Sequence, residues 1–210
     1  MKKYKQHIIV LLLFVFHSVG IIGISNPSLR ESVLNLTPMN LLLTAFLFFW
    51  GNGVFSTKLI KAAFLAFSIG FIIEVIGVKT GVLFGEYYYG DPLGFKVFDV
   101  PLMMGLNWLI LSFSSIGIVL KLVKSKTLQV VFASLLMVFL DFLIEPVAMK
   151  LGFWTWASNE IPLQNYLMWF ISGLLVNSIV IFYLPKMHFR TSLFVFSTQV
   201  YFFALLNLIE

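Results

Sequence analysis

The chain contains no cysteine and carries few charges. Without thiols it has no disulfide, no zinc–thiolate site and no cysteine nucleophile. Only 11% of its 210 residues are Asp, Glu, Lys or Arg, against about 25% in an average soluble domain. HExxH, paired histidines, a Gly-rich phosphate loop and a Ser/His/Asp order are also missing, so metal, nucleotide and hydrolase readings lack support. What is present is apolar: 60% of residues are hydrophobic and the mean hydropathy is +0.99. No water-soluble fold hides that much apolar surface. The chain reads as an all-α, polytopic transmembrane helix bundle in a single domain, residues 1–210. Its net charge of +5 would suit nucleic acid, but the basic residues form short clusters between apolar runs, the pattern of membrane topology.

Apolar runs near bilayer-spanning length give seven expected spans: Ile8–Ile24, Met39–Phe55, Leu59–Gly77, Pro101–Leu120, Leu128–Met149, Tyr166–Leu184 and Ser192–Leu208. The second is the weakest, because its densest part ends in the breaker Gly51-Asn52-Gly53. The first follows Lys2, Lys3 and Lys5 but lacks a small-residue cleavage site, so it reads as an uncleaved span. With the N-terminus inside, inner segments hold Lys2, Lys3, Lys5, Lys58, Lys61, Lys121, Lys124, Lys126, Lys186 and Arg190. Outer segments hold only Arg30, Lys79, Lys96 and Lys150. That asymmetry predicts an inside N-terminus and an outside C-terminus. No internal repeat at a fixed period, heptad pattern or low-complexity tract is evident.

Acidic residues avoid the inner loops altogether. Glu31, Glu86, Asp91, Asp99, Glu160 and Glu210 fall outside, whereas Glu74, Asp141 and Glu145 fall within spans. Each buried carboxylate costs roughly 2.5–3.5 kcal/mol near a bilayer centre on insertion scales. Asp141 and Glu145 share one helix face at i, i+4. At about 1.5 Å per residue, Glu74 lies roughly 22 Å up the third span, Asp141 roughly 20 Å up the fifth and Glu145 about 6 Å beyond it. Any one of them alone fits a cap or an interface residue. Three at one depth predict a shared polar cavity in the outer part of the membrane. Asn107 lies near that depth, and Asn177 fits interhelical glue. The loops carrying Tyr87, Tyr88 and Tyr89, and Trp154 and Trp156, flank the carboxylates and would roof the cavity. Each ring alone fits an aromatic belt. His17 reads as a packed, hydrogen-bonded side chain, with His7 and His188 at the inner face. The seventh span has no lysine, which argues against a retinal Schiff base.

Two carboxyl groups close together in a low dielectric cannot both ionise cheaply, so one keeps its proton and the other stays charged. Such a pair can protonate a weak base and direct a water molecule. A membrane-dissolved alkene is one candidate: protonation gives a tertiary cation that Tyr and Trp faces stabilise. Proton-coupled transport would use the same groups. The residues alone leave both open.

The run "EVIGVKTGVLFGEYYYGDPLGFKVFDVPLMMGLNW" and the later "DFLIEPVAMKLGFWTWASNEIPLQNYLMWF" resemble the two signature blocks of a known family. This is the carotenoid biosynthesis membrane proteins, of the carotenoid 1,2-hydratase and bisanhydrobacterioruberin hydratase type. The likeness covers about 74–173. Where members often carry Asp-Pro this chain has Glu145-Pro146, which keeps the carboxylate. "SNEIPLQN" replaces the usual aromatic-Gly-Val-Pro stretch and alters the contacts expected there. The resemblance implies a cofactor-independent hydro-lyase that adds water across the terminal C1=C2 bond of an acyclic carotenoid, giving a tertiary 1-hydroxy end. It implies Asp141 as general acid, Glu145 as the residue that orients water or holds the proton balance, and Glu74 as the alternative acid. Tyr87, Tyr89, Asn107, Trp108, Trp154, Trp156, Asn165 and Trp169 would line the substrate. Expected partners are the lipid-soluble carotenoid, membrane lipids and other enzymes of the same synthesis, with no metal and no nucleic acid. The expected location is the cytoplasmic (inner) membrane of a bacterium or archaeon. A membrane carotenoid cyclase is the nearest rival, and a small proton-coupled transporter or assembly subunit the rival of another class.

Overall fold

The structure is a computed structural model that describes residues 2–53, 55–183 and 187–209. Leu184, at the end of the sixth expected span, together with Lys186 and Glu210, lies outside the described residues. Among the described residues are eight helices: α1 (Lys2–Ser25), α2 (Arg30–Leu34), α3 (Thr37–Asn52), α4 (Thr57–Thr80), α5 (Leu102–Leu122), α6 (Lys126–Lys150), α7 (Leu163–Tyr183) and α8 (Phe189–Ile209). Four short strands, β1 (Tyr87–Tyr89), β2 (Lys96–Val97), β3 (Val100–Pro101) and β4 (Trp154–Trp156), occupy the α4–α5 and α6–α7 connections.

Local signals set the helix ends. Ser56 caps α4 by accepting from the Leu59 N–H at 3.2 Å, and Ser125 caps α6 in the same way. Gly53 (φ 68°) and Gly81 (φ 65°) close α3 and α4 in the left-handed conformation that glycine adopts without steric cost. Six helices, α1 and α4 to α8, are long and apolar enough to cross a membrane. α3 has 16 residues, about 24 Å of helix, shorter than the expected Met39–Phe55 because the Gly53 cap stops it. It still runs from one end of the bundle to the other. Pro38 lies 3.2 Å from where a Cβ on Gly94 would stand, while at its far end Gln6 Nε2 donates to the Gly51 carbonyl at 3.3 Å.

α5 is the hub, with 78% of its span buried against 28–39% for the others. A helix that is apolar all round belongs in the middle, and the others turn their apolar faces outward as a lipid-facing ring would. α5 packs on α3, α4, α6, α7 and α8. The Asn177 amide ties three helices together. Its Oδ1 accepts from Ser112 Oγ at 2.6 Å, and its Nδ2 donates to Ser134 Oγ at 3.0 Å. This is the interhelical role expected of Asn177.

The structure also shows a repeat that has no fixed period in the sequence. α4–β1–α5 and α6–β4–α7 are two copies of one helix–strand–helix unit. Gly70–Gly81, "GFIIEVIGVKTG", aligns with Asp141–Gly152, "DFLIEPVAMKLG", and "VPLMMGLNW" at Val100–Trp108 aligns with "IPLQNYLMW" at Ile161–Trp169. The first helix of each copy ends in a left-handed glycine, Gly81 (φ 65°) or Gly152 (φ 68°). β1 pairs antiparallel with β4 in the register Tyr87↔Trp156, Tyr88↔Thr155, Tyr89↔Trp154. Trp108 stacks on Trp169 with ring centroids 4.3 Å apart and planes 8° from parallel. These pairings relate the copies by an approximate two-fold axis through the Tyr88–Thr155 pair and the tryptophan stack. Fixed spacing fails because the offset shrinks from 71 residues at Glu74/Glu145 to 67 at Tyr87/Trp154 and 61 at Trp108/Trp169.

Candidate active site

Glu74 and Glu145 hold equivalent places in the two copies and line one cavity of ≈ 10 Å³, about the room of a single water. Met104, Phe84, Tyr87, Tyr89, Trp154, Trp156, Asn165 and Trp169 complete its wall.

Around Glu74 the backbone spacing makes the site. One turn before it stands Gly70, where a Cβ would lie 2.4 Å from Trp108 Cβ and Cγ. The missing side chain lets the Trp108 ring close over α4, and its Nε1–H donates to Glu74 Oε1 at 2.8 Å. Nearly one turn after it stands Gly77, where a Cβ would lie 2.9 Å from the Tyr87 hydroxyl oxygen. That gap admits Tyr87, whose hydroxyl donates to Glu74 Oε2 at 2.6 Å, beside that of Tyr89 at 2.7 Å. Burial, and then the charge of Glu74, push both phenols well above the usual range, so they remain O–H donors.

Glu145 is held by its own copy. Its Oε2 accepts from Trp154 Nε1 at 3.0 Å and Trp156 Nε1 at 2.9 Å, the indole counterparts of the two phenols. Its Oε1 accepts from Asn165 Nδ2 at 3.0 Å, and the same amide donates to Asp141 Oδ2 at 2.9 Å. Asp141, 1% exposed, sits where the other copy has Gly70. Its Oδ1 is buried and has no partner among the described residues. Pro146 follows Glu145 inside α6 and supplies no N–H to the helix.

Every partner of the three carboxyl groups among the described residues is a neutral donor. Ion pairs among the described residues lie away from the cavity: Lys79, in the last turn of α4, pairs with Asp99, and Lys96 pairs with Asp91. A buried cavity with carboxylates, indole and phenol rings and no built-in cation favours a positive charge inside it. No group of three His, Asp or Glu side chains among the described residues is placed to hold a metal ion.

The sequence matches the carotenoid biosynthesis protein family over residues 32–210. The chain belongs to the carotenoid biosynthesis protein family. Among its relatives is the bisanhydrobacterioruberin hydratase of Haloarcula japonica, 31% identical over 109 residues. The match spans 48% of this chain and 37% of that relative's length. No solved structure matches the chain.

In this member of the carotenoid biosynthesis family, the structure gathers nearly all the residues singled out from sequence. Glu74, Glu145, Tyr87, Tyr89, Trp154, Trp156, Asn165 and Trp169 line the cavity. Trp108 supports it through Glu74 and Trp169. Asp141 stands behind the wall and reaches it through Asn165. Asn107 is half-buried and does not line the cavity. It neighbours Trp108 on α5, about 100° round the helix, and Trp108 takes the inward face. His17 is packed as expected, with Nδ1 2.8 Å from the Leu13 carbonyl. Phe84, Met104, Gly70 and Gly77 were missed. Aligning the two copies would have found Met104 and Gly70, the counterparts of Asn165 and Asp141.

Proposed function

We propose that this chain is a hydratase that adds water across the terminal C1=C2 bond of an acyclic carotenoid end. The observation that carries the reading is the cation-free, aromatic-walled cavity between Glu74 and Glu145, backed by the Asp141 carboxyl. In this reading Asp141 and Glu145, joined by one amide, share a proton. Two adjacent buried carboxylates repel, so the pair is more stable holding one proton than none. Asp141 is the store of that proton and Glu145 keeps the balance at the cavity wall. Protonation of C2 leaves a tertiary cation at C1, which the rings of Tyr87, Tyr89, Trp154 and Trp156 shield until water adds. The cavity has room for about one water, the nucleophile that hydration needs. A hydrocarbon end is larger than this space, so binding displaces part of the wall.

The relative's name supports the reaction class. The product should carry a tertiary 1-hydroxy group, and no cofactor is required by the chemistry. We further propose seven passes with the β1–β4 roof outside, in the cytoplasmic membrane. α3, which runs the length of the bundle, and the basic residues at the opposite end from the strands support this. Reporter fusions after Lys124 and Asn159 should report inside and outside respectively, and the reverse would overturn the orientation. For the reaction, membranes of lycopene-accumulating cells expressing the chain should yield pigment heavier by one water. A product of unchanged mass would point to cyclisation.

A further inference from the structure

The two copies differ at the aqueous end. Beside the Glu74 copy lies a groove of ≈ 400 Å³, lined by Lys79, Thr80, Gly81, Glu86, Tyr87 and Ala157 among others. Tyr87 lines both this groove and the inner cavity. Tyr87 is thus a wall common to the two spaces, with its hydroxyl on Glu74 at 2.6 Å. The Glu145 copy is built differently at the equivalent place. Five residues separate Gly81 from Tyr87, but one separates Gly152 from Trp154. With the short connection, backbone packs on backbone. The Gly90 N–H donates to the Phe153 carbonyl at 2.9 Å, and a Cβ on Gly90 would lie 1.9 Å from the Gly152 oxygen. The longer connection of the Glu74 copy opens the groove.

We propose that the added water enters through this groove past Tyr87, and that Glu74 takes the proton the water gives up. The inference rests on the hydration reading. In the step, the O–H of the Asp141–Glu145 pair breaks and the alkene π electrons form the C2–H bond. Water's oxygen then forms the C1–O bond to the tertiary cation, and one water proton passes to the Glu74 carboxylate. The pair has lost one proton and Glu74 has gained one. Its return across the shared cavity restores both, and only water is consumed.

The chain's lack of cysteine makes a direct test possible. Ala157→Cys, exposed in the groove and outside the proposed catalytic set, is folded first and then modified with a bulky, membrane-impermeant methanethiosulfonate. Glu160→Cys, modified in the same way on the outer loop, is the control. Membranes equilibrated in D₂O are given a lycopene-type substrate. Two quantities are read: hydrated product, and deuterium in recovered unhydrated substrate, which reports protonation followed by proton loss. Modified Ala157→Cys should hydrate severalfold more slowly while deuterium incorporation persists, and a reducing agent should restore hydration. Unchanged hydration with the groove filled would overturn the port. So would a parallel loss of hydration and deuterium, because filling would then have disturbed the protonating pair. If the unmodified chain forms no hydrated product, the reaction is wrong and the port falls with it.

Discussion

Glu74 and Glu145 occupy equivalent positions in two copies of one unit, yet their surroundings differ in kind. Glu74 is held by two phenols and Trp108, Glu145 by two indoles and Asn165. One turn before each glutamate stands Gly70 in one copy and Asp141 in the other. One turn before each stacked tryptophan stands Met104 in one copy and Asn165 in the other. The two-fold relation of the copies accounts for two carboxylates at one depth facing a common space. With Asp141 and Asn165 at these two helix positions one copy holds an amide-bridged carboxyl pair, and with Gly70 and Met104 there the other holds a single carboxylate beside a groove. The fold supplies symmetry, and the proposed chemistry would use its breakdown, with the acid at one copy and the water at the other.

The largest expected effect breaks the paired copy. Asp141→Asn keeps size and polarity but has no donatable proton, so turnover should fall by about 10²–10⁴-fold with normal accumulation in the membrane. Product mass measured against immunodetected protein checks both. Glu145→Gln removes the member of the pair that lines the cavity and should lose about as much. Next comes the amide that joins the pair. Asn165→Leu leaves two buried carboxyl groups short of a donor, which costs about 1–3 kcal/mol each, and should lower both activity and thermal stability in detergent. Met104→Leu, at the matching place, should change neither appreciably.

Helix packing sharpens the same comparison at a smaller scale. Gly70→Ala puts a methyl 2.4 Å from Trp108, and such overpacking typically costs about 1–3 kcal/mol. At the other end of the motif, Ala148→Gly replaces the counterpart of Gly77 and should cost about 1 kcal/mol through helix propensity. Thermal unfolding of the two purified variants separates these. The smallest effect belongs to the exposed Lys79–Asp99 pair. Lys79 holds the Asp99 carboxyl below its usual range, so what the pair contributes is present at neutral pH and is lost on acidification through that lowered range. Lys79→Ala should shift the melting temperature little, and less still in high salt.

Much of this molecule was legible in sequence, for identifiable reasons. Six long apolar helices follow from apolar runs, and the Gly51-Asn52-Gly53 breaker marks where α3 ends. The depth of Glu74, Asp141 and Glu145 follows from helix rise alone. Trp154 and Trp156 stood out as loop aromatics flanking the carboxylates, whereas Asn165, Trp108 and Trp169 entered through family resemblance, since nothing in local spacing ties Asn165 to Asp141, 24 residues away. The Trp108–Glu74 bond spans 34 residues and depends on a missing side chain at Gly70, which reads as an ordinary glycine in an apolar run. β1 and β4 read as loops because three aromatic-rich residues are too few for a period-two pattern. Asn107 misled because a polar residue in a span suggests an inward face, and its neighbour Trp108 claimed that face. The repeat escaped because insertions between its blocks changed the offset.

The division of labour between the copies is tested most directly by one deuterium experiment on two variants. Membranes carrying Asp141→Asn or Glu74→Gln are equilibrated in D₂O and supplied with an acyclic carotenoid, and both hydrated product and deuterium in recovered substrate are measured by mass. The account predicts that Asp141→Asn loses both, because no proton reaches C2. Glu74→Gln should lose most hydration but keep deuterium incorporation, because the cation still forms and reverts. A well-inserted Asp141→Asn protein that still labels its substrate would contradict it, and so would a Glu74→Gln protein that loses labelling and hydration together, the second result making Glu74 the acid.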